Sequence, residues 1–263
     1  MKLLCRGILL GLAITYVGTV SAISTNKDPL ELPDLAQESQ HALASKRIYH
    51  LFTREHYKRF AMDDTFSKKV FERYIDQLDY NKQFFLQADI DELAKHQDAF
   101  DEAFYRGKLD FVYEMFELNL KRRKQMFEYA LSIISAKDEM KFDKAEYYYY
   151  DREDSAWAKD IDELKAYWLQ RVKYDALNLK LTGKEWDKIK ELLTKRYTTA
   201  IKRLAQSQSE DVFQSVMNAF ARSIEAHTSY LSPRRADRFE MEMNLSLEGI
   251  GAVLFAEDDY TVI

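Results

Sequence analysis

Gly249-Ile250-Gly251 is the stretch whose residue types and spacing point most directly to chemistry. Glycine adopts backbone angles that other residues resist, so a Gly-Ile-Gly loop between extended segments leaves main-chain N–H groups free to converge. A nest of such groups binds an anion, for instance the terminal carboxylate of a peptide. The same residues also fit an ordinary β-turn. Other constellations are missing. His50 and His56 are six apart, no His-Glu-x-x-His occurs, and His41, His96 and His227 stand alone, which reads as surface or packing histidines. No P-loop or dinucleotide fingerprint is present, and no metal or cofactor is expected. His227-Thr228 reads as a cap and turn ahead of Pro233.

The elements that position this loop are helical. From Ile23 to Glu248 the only glycines are Gly107 and Gly183, and the only prolines are Pro29, Pro33 and Pro233. Such a chain, rich in Leu, Ala, Lys, Glu and Gln, favours helix. Caps and breakers set the boundaries. Pro33-Asp34 opens a helix to about Arg59. Asp63 or Asp64 caps a second, with Phe66, Val70, Phe71, Tyr74 and Leu78 on one face. Asp89 and Glu92 form a capping box for a third, ending at Gly107. Residues 109–135 carry one apolar stripe: Leu109, Val112, Tyr113, Phe116, Leu120, Phe127, Leu131 and Ile134. Lys121-Arg122-Arg123-Lys124 interrupts it and reads as a solvated face. Residues 137–159 lose the period. Their Tyr147-Tyr148-Tyr149-Tyr150 run suits packing or an interface, and packing is the expectation. Asp160 with Glu163 opens a helix to Leu181, which Gly183 ends. Another spans residues 184–206, Ser209 caps one to Glu225, and Pro233 starts a short one to Met241. Only after Leu245 does the pattern turn to strands, residues 249–255 and 260–263, with Glu257-Asp258-Asp259 as the turn.

Residues 1–22 read as a signal peptide: Lys2 and Arg6, an apolar run from Gly7 to Val20, then Val20-Ser21-Ala22. The run is shorter than the ~20 residues a membrane span needs. The alternative is a retained anchor. Cys5 is the only cysteine, so the mature chain forms no disulfide. Loss of Lys2 and Arg6 takes the formal charge from −5 to −7, which disfavours nucleic acid and suits a soluble periplasmic protein.

His227-Thr228-Ser229-Tyr230-Leu231-Ser232-Pro233, followed by Ser246-Leu247-Glu248-Gly249-Ile250-Gly251-Ala252, closely resembles the carboxyl-terminal processing peptidase family, in particular its Gram-negative periplasmic tail-specific proteases. Leu78-Asp79-Tyr80 with Phe84-Phe85-Leu86, the 179–184 stretch, and Arg203-Leu204-Ala205-Gln206 with Ser209-Glu210-Asp211-Val212-Phe213 match too. The resemblance covers nearly the whole chain. It implies an all-α N-terminal helical domain, residues 23–243, and then the truncated start of a PDZ domain, residues 244–263, with a protease core beyond. Glu225-Ala226 stand where the family usually has Asp-Pro. Ala156-Trp157-Ala158 replaces Pro-Trp-Pro and suggests a less rigid loop.

Leu247, Gly249, Ile250 and Gly251 match the family's peptide-binding edge, where a substrate's C-terminal tail adds as a strand. The family's hydrolysis uses a serine nucleophile and a lysine base whose pKa is lowered by burial. No serine or lysine here matches that motif, so no catalytic residue is assigned and the chain alone is expected to be inactive. The partners implied are C-terminal tails of substrate proteins and a protein adaptor. The alternative function is a stand-alone periplasmic helical binding module. Continuation of the reading frame past Ile263 would separate the two.

Overall fold

The computed structural model describes residues 30–136, 139–244, 255–257 and 260–262. Residues 1–22 and the Gly-Ile-Gly loop lie outside them. Among the described residues the first helix, α1 (Ser39–Glu55), starts later than Pro33-Asp34 and stops short of Arg59. Its start is set by a reciprocal cap between Glu38 and His41. The arm before it is tied down by Leu35 N–H on Glu117 and Ala36 N–H on Ser209 Oγ. α2 (Asp64–Asp79) is capped by Asp63, which accepts the Phe66 N–H at 2.9 Å. Its expected apolar face is buried at Val70, Phe71, Tyr74 and Leu78.

The expected third helix is three pieces: α3 (Gln87–Leu93), a 3-10 turn (Ala94–His96) and α4 (Phe100–Arg106). Asp89 is not its N-cap. It sits in the first turn and reaches back to the Leu86 N–H at 2.9 Å. Gly107 ends α4 in the left-handed region, φ 65°, and a Cβ there would lie 2.4 Å from the Ala42 carbonyl oxygen. Gln37 brackets this turn, donating to the Gly107 carbonyl and accepting the Leu109 N–H, both at 2.7 Å.

α5 (Asp110–Ser135) is the spine. At 1.5 Å per residue it is about 39 Å long. α6 (Ile161–Leu181) is capped by Asp160 at the Glu163 N–H, 2.9 Å. α7 (Trp186–Ala205) and α8 (Ser209–Ile224) come next. The α8 cap is Gln208 paired with Asp211, so Ser209 is the first helical residue and not the cap. α9 (Pro233–Met243) begins on proline as expected. Two short strands, β1 (Phe255–Glu257) and β2 (Tyr260–Val262), pair antiparallel with Phe255 opposite Val262. Glu257 is thus in a strand rather than in the turn.

Two apolar cores lie along α5. The first gathers α2, α4, the front of α5 and α8, with Tyr74, Phe100, Phe104, Phe213 and Phe220 fully buried; Phe104 and Phe220 stack at 4.6 Å. The second gathers the back of α5 with α6 and α7 around Trp168, whose indole N–H donates to the Gln83 carbonyl at 2.7 Å. Between them lies the turn of residues 80–86. The Asp79 carboxylate accepts the N–H groups of Gln83, Phe84 and Phe85 at 2.8–2.9 Å. Phe85 then enters the first core, and Phe84 and Leu86 the second. Burial nonetheless holds Asp79 above the usual carboxylate range, against those three bonds and Arg123.

The basic run 121–124 sits at this waist and corrects the solvated-face expectation. Arg122 forks onto Asp89 with two bonds of 2.8 Å. Arg123 lies 4.5 Å over the Phe84 ring and donates to Asn119 and to the Leu78 carbonyl. Only Lys121 and Lys124 behave as expected, pairing along the helix with Glu117 and Glu128. A helical wheel places Lys121 and Arg122 away from the stripe but Arg123 within it, seven residues after Phe116 and four before Phe127; it does not show that residues 78–89 wrap across Arg122.

Candidate functional site

The residues assigned by sequence to peptide binding, Leu247, Gly249, Ile250 and Gly251, lie outside the described residues. The described residues show how the helical body holds the chain that leads into α9. The point of hold is the junction between α8 and α9, residues 225–232.

Its first half is a knot on one carboxylate. Glu225 accepts the Thr228 hydroxyl, the His227 N–H at 3.0 Å and the His227 ring Nδ1 at 3.1 Å. The Thr228 hydroxyl bond, then the His227 N–H, hold the Glu225 carboxyl down at about 2. His56, from the end of α1, meets the Thr228 hydroxyl at 2.8 Å. Lys58 and Lys69 donate to the Ile224 and Ser223 carbonyls, satisfying the open C-terminus of α8 with charges that suit its dipole. His227-Thr228 is therefore the cap and turn the sequence suggests.

The second half is a clamp. Asn218 on α8 donates to the Tyr230 carbonyl and accepts the Tyr230 N–H, both at 3.0 Å. The Tyr230 ring packs edge-on against Phe213, and its hydroxyl donates to Glu210 at 3.3 Å. Burial and the Glu210 charge push the Tyr230 phenol well above its ordinary range. Glu210 in turn meets His41 Nε2 at 3.0 Å. His41 Nδ1 faces the Tyr113 hydroxyl at 2.8 Å and the Glu38 N–H at 3.3 Å. Because the Glu38 N–H donates to Nδ1, the ring donates from Nε2.

Carboxylate, imidazole and hydroxyl in that order have the layout of a nucleophilic triad. Here the hydroxyl is a phenol, Tyr113, in a residue only 3% exposed, and burial pushes it well above the usual range. It also reaches the Ser209 carbonyl at 3.3 Å. This network ties α1, α5, α8 and the junction together and offers no free nucleophile. Nor is there a group of three His, Cys, Asp or Glu arranged to hold a metal among the described residues. Sequence reasoning reads His41 as a surface or packing histidine, meets Glu225 and Tyr230 only as parts of the matched stretch and passes over Asn218, because nothing local marks an i-to-i+12 clamp or a contact across 169 residues.

Two further regions differ from expectation or extend it. Tyr148 packs, with its ring 5.5 Å from Tyr167 and 5.0 Å from Tyr174, but Tyr147, Tyr149 and Tyr150 are 76%, 73% and 71% exposed. Three of the four tyrosines thus contradict the packing reading. At Ala156-Trp157-Ala158, the Ala158 carbonyl accepts the Gln87 N–H at 2.8 Å and Trp157 lies against Phe85, so the stretch is pinned to α3. No helix among the described residues is long and apolar enough to cross a membrane.

Comparison with known proteins places this architecture. Residues 48–234 match the family model described as the tail specific protease N-terminal domain. A protein of Haemophilus influenzae named tail-specific protease is 44% identical over 232 residues, 88% of this chain. Those residues are 33% of that protein's length, so the chain spans about a third of the relative it matches.

Proposed function

This chain belongs to the tail-specific protease N-terminal domain family, and from that premise we propose that it is the N-terminal region of a periplasmic serine endopeptidase that recognises and degrades proteins through their C-termini. The family match over the two-core helical body carries this reading. In it, the helical domain is a scaffold. It holds the 225–232 junction by the Glu225 knot and the Asn218 clamp, and so sets where α9 and the residues after it begin. Leu247, Gly249, Ile250 and Gly251 would supply the first edge of a PDZ peptide site, with main-chain bonds giving affinity and an apolar pocket selecting the last side chain. The nucleophile and base are assigned to a protease core outside these residues, and residues 1–22 to an export signal.

Calorimetry tests the site. In the chain extended past Ile263 by the PDZ sequence of the family, Gly251→Val should weaken binding of an apolar-ended peptide about tenfold or more, because a β-branched side chain resists the backbone angles that a nest needs. Undiminished binding by the variant would remove the Gly-Ile-Gly loop from the site.

A further inference from the structure

We propose that the outer face of α1 docks an acidic amphipathic segment of a partner protein, one that brings carboxylates to Lys46, Arg47 and Arg54 and apolar side chains to Leu43 and Leu51. A helix advances about 100° per residue, so the positions that share a face follow from their spacing. The inner face of α1 packs Ala44, Ile48, Tyr49 and Phe52 against the first core and buries His41 and Ser45. Leu43, Lys46, Arg47, His50, Leu51 and Arg54 fall on the opposite arc, about 140° wide. All but the half-buried His50 are exposed, Leu43 by 51% and Leu51 by 50%. Arg47 stands four residues from each leucine, so the three form one stripe about 12 Å long.

The charge of the partner follows from what α1 lacks. None of Lys46, Arg47 and Arg54 has a carboxylate three or four residues away on either side. Other exposed cations do: Lys95 pairs with Glu92, Arg106 with Glu102 and Lys188 with Glu191. Among the described residues no ion pair or hydrogen bond engages the three α1 side chains. Glu55, the only carboxylate within α1, lies outside the arc, and Glu38 is taken up by the cap and by Gln40. The neighbours do not reverse the sign. α4 packs beside α1, and residues 38–59 and 100–108 together carry seven cations against four carboxylates. Asp101 of α4 acts on Tyr49 at the flank, while Arg59 reaches back to the Arg54 carbonyl and adds a cation to the face's end. On α8, which also packs against α1, Glu210 is bound by His41 and Tyr230. Asp34 and Arg234, which share the depression beside Gln40, offset one another. An interfacial membrane helix turns a broad apolar face to the lipid, and that face of α1 is in the core, so the occupant that fits is a polypeptide. The face takes side-chain carboxylates and is independent of the proposed Gly-Ile-Gly site.

The probe is fluorescein-(Leu-Glu-Glu-Ala)4-amide, whose leucines repeat every four residues, titrated by fluorescence anisotropy with the 263-residue chain. Fluorescein-(Leu-Lys-Lys-Ala)4-amide is its cationic counterpart. The expected result is saturable binding of the acidic peptide that weakens as salt is raised. Lys46→Gln/Arg47→Gln/Arg54→Gln should weaken it at least tenfold, and Leu43→Gln/Leu51→Gln at least fivefold. Removing equal charge elsewhere, with Lys141→Gln/Lys144→Gln/Arg203→Gln, should change it less than twofold. All these side chains are exposed and glutamine is a good helix former, so circular dichroism should show every variant folded. No saturable binding, equal binding of the cationic peptide, equal loss in the control variant, or no loss in either α1 variant each overturns the proposal. Binding to phosphatidylglycerol vesicles that the α1 variants abolish would assign the face to lipid and overturn it too. So would sedimentation showing a dimer of the chain that the leucine variant abolishes, which assigns the face to a second copy.

Discussion

Arg123 is a charged residue within the apolar stripe of α5, three residues after Leu120 and four before Phe127, and it does interior work. Its guanidinium satisfies Asn119 and the Leu78 carbonyl and covers Phe84. Truncation would strand Asn119 Oδ1, leave the Leu78 carbonyl with the Asn119 amide alone and uncover Phe84, so Arg123→Ala should lower stability by about 2–4 kcal/mol. Lys121→Ala, two residues away, should stay within about 0.5 kcal/mol because its pair with Glu117 is exposed. Urea denaturation of both variants checks the contrast, and similar midpoints would contradict it. Glu225 gives a pH signature. Its folded pKa of about 2 lies below the ordinary value of about 4.3, so the knot's stabilisation is fully present above that value. It is lost as pH falls through about 2. The His227 amide proton should titrate with the low midpoint in NMR spectra, and Glu225→Gln should abolish that titration. A midpoint near 4.3 would mean that the bonds to Glu225 are not populated in solution.

Elements show where sequence reasoning succeeds. The starts of α2 and α6 are legible because Asp63 and Asp160 act within three residues of themselves. The stripe of α5 is legible because its period is local. The illegible parts depend on other elements. α1 starts at Glu38–His41 because His41 is fixed by Tyr113 and Glu210, far along the chain. The break between α3 and α4 contains neither Gly nor Pro, so no breaker announces it. The two helix-ending glycines also differ in a way that only the packed structure reveals. Both have positive φ, but a Cβ at Gly183 meets nothing within 4 Å, whereas one at Gly107 strikes the Ala42 carbonyl oxygen. Gly183→Ala should cost about 1 kcal/mol, the conformational term alone, and Gly107→Ala distinctly more. Thermal denaturation with the order reversed would show that the α1–α4 approach is looser than described.

At the scale of the whole molecule, two cores on one spine make a platform, and the pinned junction sets where α9 starts. α9 itself has no buried residue, with Phe239, Met241 and Met243 all exposed. An 11-residue helix is marginal in water without a partner, so its apolar side chains mark it as an element to be covered. The candidate site comes from resemblance: Gly249-Ile250-Gly251 alone reads as an ordinary β-turn before it reads as a nest. On the proposed reading its functional meaning rests on a PDZ and a protease domain that follow the helical one. For the same reason the 263-residue chain should hydrolyse no peptide, since no serine–lysine dyad motif occurs in it. Cleavage of an apolar-ended peptide after rigorous removal of contaminating proteases would contradict that.

The most direct measurement is a calorimetric titration of the PDZ-extended chain with one apolar-ended peptide in two forms, free acid and amide. If the helical platform leads into a site that reads C-termini, the free acid binds and the amide binds at least tenfold more weakly, because the N–H nest has lost its anion. Equal affinity for acid and amide would contradict C-terminal recognition and, with it, the proposed role of this domain.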